Sequence, residues 1–324
     1  MPGALPTVAF IALVLALVPL ALHWRSRNVP LLSIMAWLAM SDLIYGTNST
    51  IWNGNVDIVA PVWCDISTKL RVGSEIALSV CTLALALQVY RVTLQKSRLG
   101  LAWQLGICLG FPLIIMGLHS IVQGHRFDIY EDFGCNPAIY LSVPSIIILD
   151  VPPLVAAALA LVYCSLALVN FSRQRKAFSR IVRDAHSPGL SKSRYFRVMS
   201  LTFSLGLWNA LVLSLTRASA YRNGLLPWTT WDDVHSYFFL VSQYPTALIP
   251  SDVLGWLYFN WSSVPISIIF VFAFFGFGTE AVTDYRACAR WFEKTILRQN
   301  TGSPSSESPG QSDRSGSVQD KCFT

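Results

Sequence analysis

The feature that most constrains this chain is where its charges do not fall. Met1 to Leu22 contains none, and neither does Leu101 to Val122 or Val253 to Thr279. Each stretch supplies the ~20 residues that an α-helix needs to cross a hydrocarbon core. Three further runs come close. Leu31 to Trp52 is interrupted only by Asp42, Pro144 to Phe171 carries Asp150 and the pair Pro152-Pro153, and Val198 to Thr216 is uncharged. Trp63 to Tyr90 completes the set, polar in its first two turns and apolar from Ile76. With Trp261 to Thr279 taken as the last crossing, the expected fold is all-α: a seven-helix bundle in a membrane. The 324 residues are 53% hydrophobic and only 13% charged, about half the charged share of a soluble protein. A soluble fold cannot hide that much apolar surface.

Ser236 to Ser251 is also uncharged, but it is short and holds Pro245, Pro250 and Gln243. It reads as a membrane-dipping or lid-like loop. Charge bias supports seven crossings over eight. With the N-terminus outside, five of the 24 Lys and Arg residues (Lys69, Arg71, Arg126, Arg217 and Arg222) lie outside and the other nineteen lie inside. An eighth crossing would carry the basic stretch Arg286 to Arg298 outside and spoil that bias. The first run lacks the basic lead of a signal peptide and is too long for one.

Three parts are expected: a membrane domain over 1–284, a juxtamembrane helix over 285–299 and a disordered cytoplasmic tail over 300–324. Tyr285, Cys288, Phe292 and Ile296 recur at helical spacing beside Arg286, Arg290 and Lys294, which suits an amphipathic helix on the inner leaflet. Cys288 is a palmitoylation candidate there. The tail is rich in Ser, Gly, Pro and Gln.

Catalytic chemistry is missing from the sequence. The five histidines are scattered, no HExxH, GxSxG or phosphate-cradling glycine loop occurs, and no cysteine pair has metal spacing. No enzyme activity, metal or cofactor is expected. The last helix has no lysine, so it cannot carry a retinal Schiff base.

Ionisable groups inside a membrane are costly and therefore informative. Asp42 lies mid-helix, suited either to a polar contact with a neighbouring helix or to a protonation switch. Glu75 follows Lys69 and Arg71, so it either pairs locally or faces a water-filled cavity. Asp150 precedes Pro152 and Pro153, whose missing N–H groups open the backbone. Asp42, Asp150, Pro152 and Pro153 are therefore the switch candidates.

Two of the seven cysteines, Cys64 and Cys135, fall outside, where the oxidising exterior lets them pair; a disulfide between them is expected, against two free thiols. Cys81, Cys108 and Cys164 read as small packing residues. The outer loops combine Asp128, Glu131, Asp132, Asp232 and Asp233 with Trp228, Trp231, Tyr237 and Phe238. An acidic and aromatic rim suits a peptide or amphiphilic ligand. From this rim Asp128, Glu131, Asp132, Trp231, Asp232 and Tyr237, with Lys69, Arg71, Glu75 and His235, form the expected ligand-binding set. Two glycosylation sequons, at Asn48 and Asn260, lie near the same face. On the inner side, Ser172 to Arg197 has eight basic residues and one acid. Attraction to anionic membrane lipids accounts for such a surface; the sharper expectation is a partner docked on Arg91, Arg173, Arg175, Lys176, Arg194 and Arg197.

Certain motifs then add a resemblance. Trp63-Cys64-Asp65-Ile66, His125-Arg126-Phe127-Asp128-Ile129 leading to Gly134-Cys135, Trp231-Asp232-Asp233-Val234-His235, and Phe275-Gly276-Phe277-Gly278-Thr279-Glu280-Ala281 with Tyr285-Arg286 occur in this order. In motif and spacing, from about Leu5 to Trp291, the chain resembles the fungal mating-pheromone receptors of the lipopeptide (a-factor) type, the class D G-protein-coupled receptors. The short tail resembles the receptors of mushroom-type mating loci. The usual acid before Tyr90-Arg91 and the NPxxY of animal receptors are absent, as that class implies. The resemblance implies a plasma-membrane receptor for a farnesylated, carboxymethylated peptide that signals to a heterotrimeric G protein. Membrane lipids and a homodimer are further partners this reading admits; nucleic acid is not. The competing class is a seven-helix small-solute transporter, which predicts internal repeats that this sequence does not display.

Overall fold

The computed structural model describes residues 3–23, 28–173, 192–222 and 224–276. Seven helices in it are long and apolar enough to cross a membrane. They are α1 (Ala4–His23), α2 (Val29–Ile51), α3 (Pro61–Thr93), α4 (Leu101–Val122), α5 (Val143–Arg173), α6 (Lys192–Ala220) and α7 (Ser251–Phe275). The chain divides at Phe274, and nearly all of the second unit, with the expected helix 285–299 and tail 300–324, lies outside the described residues.

Hydrocarbon solvates leucine as well as a protein does, so helices in a membrane associate through close packing and polar contacts. The first pair shows this. Leu5, Ala9, Ala12 and Ala16 recur on one face of α1, are all buried, and let it lie along α2. At the centre stands α3, which packs against α2, α4, α5 and α6. At 1.5 Å per residue its 33 residues reach about 50 Å, well beyond a hydrocarbon core of ~30 Å. The excess carries Cys64 past the bundle into the loops.

Two π-helical turns interrupt the helices, Gly106–Gly110 in α4 and Ile146–Asp150 in α5. Each precedes proline, Pro112 in one case and Pro152-Pro153 in the other. A proline cannot donate to the carbonyl four residues back, and its ring crowds that carbonyl. For Pro112 the stranded group is Cys108 O. It accepts from Trp37 Nε1 at 3.1 Å, with Cys81 Sγ at 3.7 Å, which satisfies in the bundle what water cannot reach.

Between the helices of one end lies a three-stranded sheet, ordered β2-β1-β3, of β1 (Phe127–Tyr130), β2 (Gly134–Asn136) and β3 (Val241–Tyr244). β1 runs antiparallel to β2 and parallel to β3, with Ile129 opposite Cys135 on one side and Gln243 on the other.

The sequence expectations need three corrections. The last helix begins at Ser251 rather than Trp261, because the chain enters it directly after Pro250. α6 runs from Lys192 to Ala220, longer at both ends than the uncharged run, since helix hydrogen bonding continues into the polar flanks. Part of Ser236 to Ser251 is strand β3: pairing with β1 satisfies the backbone that a simple loop would leave open.

Candidate functional site

At the sheet-bearing end the motif residues meet one another. Cys64 and Cys135 form a disulfide spanning 71 residues. They share a buried cluster with Trp52, Phe127 and Ile129. Water surrounds such a cap, so burial there stabilises in the ordinary way, by roughly 1.5–3 kcal/mol for each large side chain. Arg126 grips Asp65 with Nε at 2.9 Å and Nη2 at 2.6 Å; this pairing pushes the guanidinium above its ordinary range. Gly134 has φ +71°, and a Cβ there would lie 2.7 Å from Asn48 Cβ and from Trp52 Cε3. Only glycine fits.

Most of the expected acidic rim is engaged inside this cap. Asp128 Oδ1 lies 2.6 Å from His125 Nε2. Glu131 Oε2 accepts from Thr246 N at 2.6 Å, and Asp132 Oδ1 from Gly54 N at 3.0 Å, so these carboxylates tie the hairpin to the turn after α2 and to the segment after β3. Tyr130 stacks on Tyr244 at 4.7 Å, and burial pushes its hydroxyl above the usual phenol range. The short helix Trp231–His235 adds a second group. Trp231 stacks on His235 at 3.9 Å, and His235 Nε2 is 2.9 Å from Ser120 O. Thr229 donates to Asp233 at 2.6 Å and, with the Thr230 cap, holds that carboxyl below its usual range. Asp232 and Tyr237 are exposed.

Beneath the cap, α2, α3, α6 and α7 line a partly open cavity of about 50 Å³. Eleven of its sixteen lining residues carry a hydroxyl, an amide or a charge. From α3 come Arg71, Ser74, Glu75 and Leu78, one helical face; from α7 come Asn260, Ser263 and Ser267; from α6, Asn209 and Thr216. Ser41 and Tyr45 close it on α2. The large aromatic side chains hold α7 across this space: Tyr45 stacks on Trp261 at 5.8 Å, and Trp208 meets Phe259 and Phe270 edge-on.

An ion-pair network adjoins the cavity. Arg217 of α6 reaches Glu75 of α3 with Nη2 and Asp150 of α5 with Nε, both at 2.7 Å. The Tyr221 hydroxyl also donates to Asp150. Glu75 therefore lines a cavity, as one expectation had it, but its partner is Arg217 and not Lys69 or Arg71, which point elsewhere. Lys69 Nζ lies 2.9 Å from His119 Nδ1, and Arg71 Nη1 donates to Cys135 O at 2.8 Å and Asn136 Oδ1 at 2.7 Å while its guanidinium lies 4.9 Å from the Tyr45 ring centre.

For Asp42 the structure shows no polar interhelix contact, one of its two expected roles. It is 0% exposed, and neither carboxylate oxygen has a hydrogen-bond partner among the described residues. Asn48 is equally buried, with Nδ2 donating to Cys135 O and Oδ1 accepting from Trp63 Nε1, so its sequon cannot take a glycan in this fold. At the opposite end, Tyr195 donates to Val89 O at 3.1 Å and Arg91 Nε to Ser97 O at 2.8 Å. Arg173 is exposed and Arg197 half-buried, whereas Arg175, Lys176, Cys288 and the side chain of Arg194 lie outside the described residues.

Sequence reasoning missed Arg217 as a bridge and most of the cavity wall. The signal was present as polar residues at helical spacing: 71, 74, 75 and 79 in α3; 209 and 216 in α6; 260, 263 and 267 in α7.

Seven membrane-length helices, capped at one end by a disulfide-tied sheet, define a multi-pass helical membrane protein. The family model described as STE3, pheromone A receptor, matches residues 4–294. This chain belongs to that family. It is 41% identical over 288 residues to a pheromone B beta 1 receptor of Schizophyllum commune, covering 86% of this chain and 53% of that protein. With pheromone receptor 1 of Mycosarcoma maydis it shares 28% identity over 308 residues, covering 90% and 84%. With the pheromone a factor receptor of Saccharomyces cerevisiae it shares 25% over 298 residues, covering 87% and 61%. The chain spans about half the length of the Schizophyllum relatives. Membership makes it a multi-pass plasma-membrane protein and not an enzyme.

Proposed function

We propose that this protein is a G-protein-coupled receptor for a lipidated, farnesylated peptide mating pheromone. The observation that carries the reading is the extent of the family match, which runs through all seven helices instead of resting on one motif. The capped end faces outside with the N-terminus, in keeping with the basic inner loops and with a disulfide formed in an oxidising compartment. Ligand recognition combines two places. Trp231, Asp232, His235 and Tyr237 form an outer contact surface, and Lys69, Arg71 and Glu75 lie at and below the cap. Asp128, Glu131 and Asp132 belong to the same surface chiefly by shaping it. On the inner side Arg91, Arg173, Arg175, Lys176, Arg194 and Arg197 meet the G protein and anionic membrane lipids. Asp42, Asp150, Pro152 and Pro153 are the switch candidates, and a homodimer is the proposed assembly. The juxtamembrane helix 285–299 and the tail 300–324 extend the receptor domain 1–284.

Expression in a fungal cell lacking its own receptor, with a pheromone-responsive reporter, tests the reading. A panel of farnesylated peptides should include one that activates the reporter only when this chain and a Gα subunit are present. Solute flux without any reporter response would favour the transporter class instead.

A further inference from the structure

We propose that the peptide ligand binds as an added β-strand along the open edge of β3, its main chain pairing with Val241 and Gln243. The inference rests on the receptor reading above and gives the ligand a main-chain site in the cap.

The two edges of the sheet differ. An uncovered strand edge is a row of unpaired N–H and C=O groups, which proteins usually block. In the order β2-β1-β3, both outer strands have such an edge. The fold blocks the one at β2. That strand packs against α2 and α3, Gly134 and Cys135 are buried, and Cys135 O accepts from Arg71 Nη1 at 2.8 Å and Asn48 Nδ2 at 3.3 Å. Nothing of the kind happens at β3. Apart from β1 and Glu131 just beyond it, no described residue hydrogen-bonds the main chain of Val241 to Tyr244. The usual guards are missing too: β3 has no charge and no proline, and its register with β1 is continuous, without a bulge.

The ends of the strand fix which groups stand open. Leu240 O accepts from Arg126 N and Tyr244 O from Glu131 N, both at 3.2 Å. Main-chain groups alternate sides along a strand. Ser242 therefore faces β1 as well, and Val241 and Gln243 turn their N–H and C=O groups away from it. They offer two donors and two acceptors at i, i+2 spacing. Gln243 is exposed and Val241 half-buried.

A peptide carries the complementary main chain, and strand addition is a recurring way of holding one. Aromatic side chains flank the edge. Tyr244 stacks on Tyr130 and stays exposed, and in the segment leading into β3 Tyr237 is 75% and Phe239 87% exposed. The edge thus continues, along the chain, the Trp231 to Tyr237 surface already assigned to the ligand. A second copy of the chain is the other occupant to weigh. Two open residues give it far less than the roughly 1,200 Å² that a stable interface buries. A ligand tethered by its lipid to the same membrane needs less, because tethering raises its effective concentration.

The test uses the reporter cell and the synthetic farnesylated peptide found active there. Each peptide amide is replaced in turn by an ester, which deletes one N–H and keeps every side chain. On the receptor, Gln243→Pro deletes an outward N–H, a change that edge strands tolerate. Gln243→Ala controls for the lost side-chain bond to Val56 O at 2.6 Å. Surface expression is measured for every receptor. Esters at two positions spaced i, i+2 should each raise the half-maximal dose about tenfold, the scale of one main-chain hydrogen bond, with little effect at the position between. Gln243→Pro should raise it about tenfold above Gln243→Ala. The ester scan on the wild-type receptor decides by itself if the proline variant does not reach the surface. A scan without that alternation overturns the proposal, as do equal doses for the proline and alanine variants at equal surface expression. If Gln243→Pro instead abolishes crosslinking between two tagged copies at unchanged doses, the edge belongs to a second copy and the proposal is wrong. In each of these outcomes the reporter still responds, so the receptor reading survives. A wild-type chain that answers to no farnesylated peptide sinks the reading and the proposal together.

Discussion

The cap and the cavity lie a few turns apart and handle polar groups in opposite ways. In the cap, nearly every charged side chain is engaged in holding the chain together: Asp65 with Arg126, Asp128 with His125, Glu131 with the Thr246 amide, Asp132 with the Gly54 amide. Around the cavity, serine hydroxyls such as Ser41, Ser74 and Ser267 donate only to carbonyls of their own helices, and the buried Ser79 Oγ lacks a partner among the described residues. Position in the membrane explains the contrast. Near water, loops need ties to stay ordered, and charge supplies them cheaply. Inside the bilayer every exposed polar atom is costly, so polar groups that line a void there point to function more strongly than charges on the rim.

That comparison can be broken or sharpened by experiment. The largest effect is expected from Cys135→Ser. Opening a tie across 71 residues should cost about 4 kcal/mol on the chain-entropy account. It should appear as a lower melting temperature of purified protein and reduced surface expression; finding both cysteines as free thiols in non-reduced wild-type peptides would refute the tie itself. Arg217→Ala comes next. It leaves two carboxylates facing each other at a partly buried site, which should cost about 3 kcal/mol. Adding Glu75→Gln should restore part of the melting temperature. A lack of rescue would show that Arg217 acts by packing alone.

Two glycines measure how tightly the cap is built. Gly134→Ala should cost about 2 kcal/mol, from the positive φ and from overlap with Asn48 and Trp52. Gly54 has φ +67° with nothing within 4 Å of its Cβ position, so Gly54→Ala should cost only about 1 kcal/mol. Equal losses would mean the Gly134 contact is relaxed. For Glu131→Gln and Asp132→Asn, about 1 kcal/mol each is expected, with no change in which peptide activates. A changed preference at unaltered stability would return these acids to direct ligand contact. The smallest effect belongs to Asp233. Its carboxyl is held below the ordinary range, so its contribution is present at neutral pH and is lost as the pH falls through its folded value. Melting temperatures of wild type and Asp233→Asn should differ slightly at neutral pH and converge on acidification.

Much of the bundle was legible because its cause is one-dimensional. An uncharged run of about twenty residues must cross as a helix whatever its neighbours are, so the seven helices, and the placing of Cys64 and Cys135 at the same end of the bundle, follow from the order of residues. Ends were less legible. The uncharged run Val253 to Thr279 begins two residues from the observed start of α7 at Ser251, but it is longer than one crossing needs, and hydropathy alone does not say which end belongs to the helix.

What the sequence by itself determined was a membrane bundle, its number of helices, the candidate cysteine pair and the family resemblance carried by local motifs. Tertiary structure alone decided the partners. That Arg217 meets Glu75 and Asp150, which lie 142 and 67 positions away, depends on how three helices turn about their axes. The same rotations bring serines and asparagines from four helices onto one void. Hydropathy fixes that a helix crosses; only packing against its neighbours fixes which way each side chain faces.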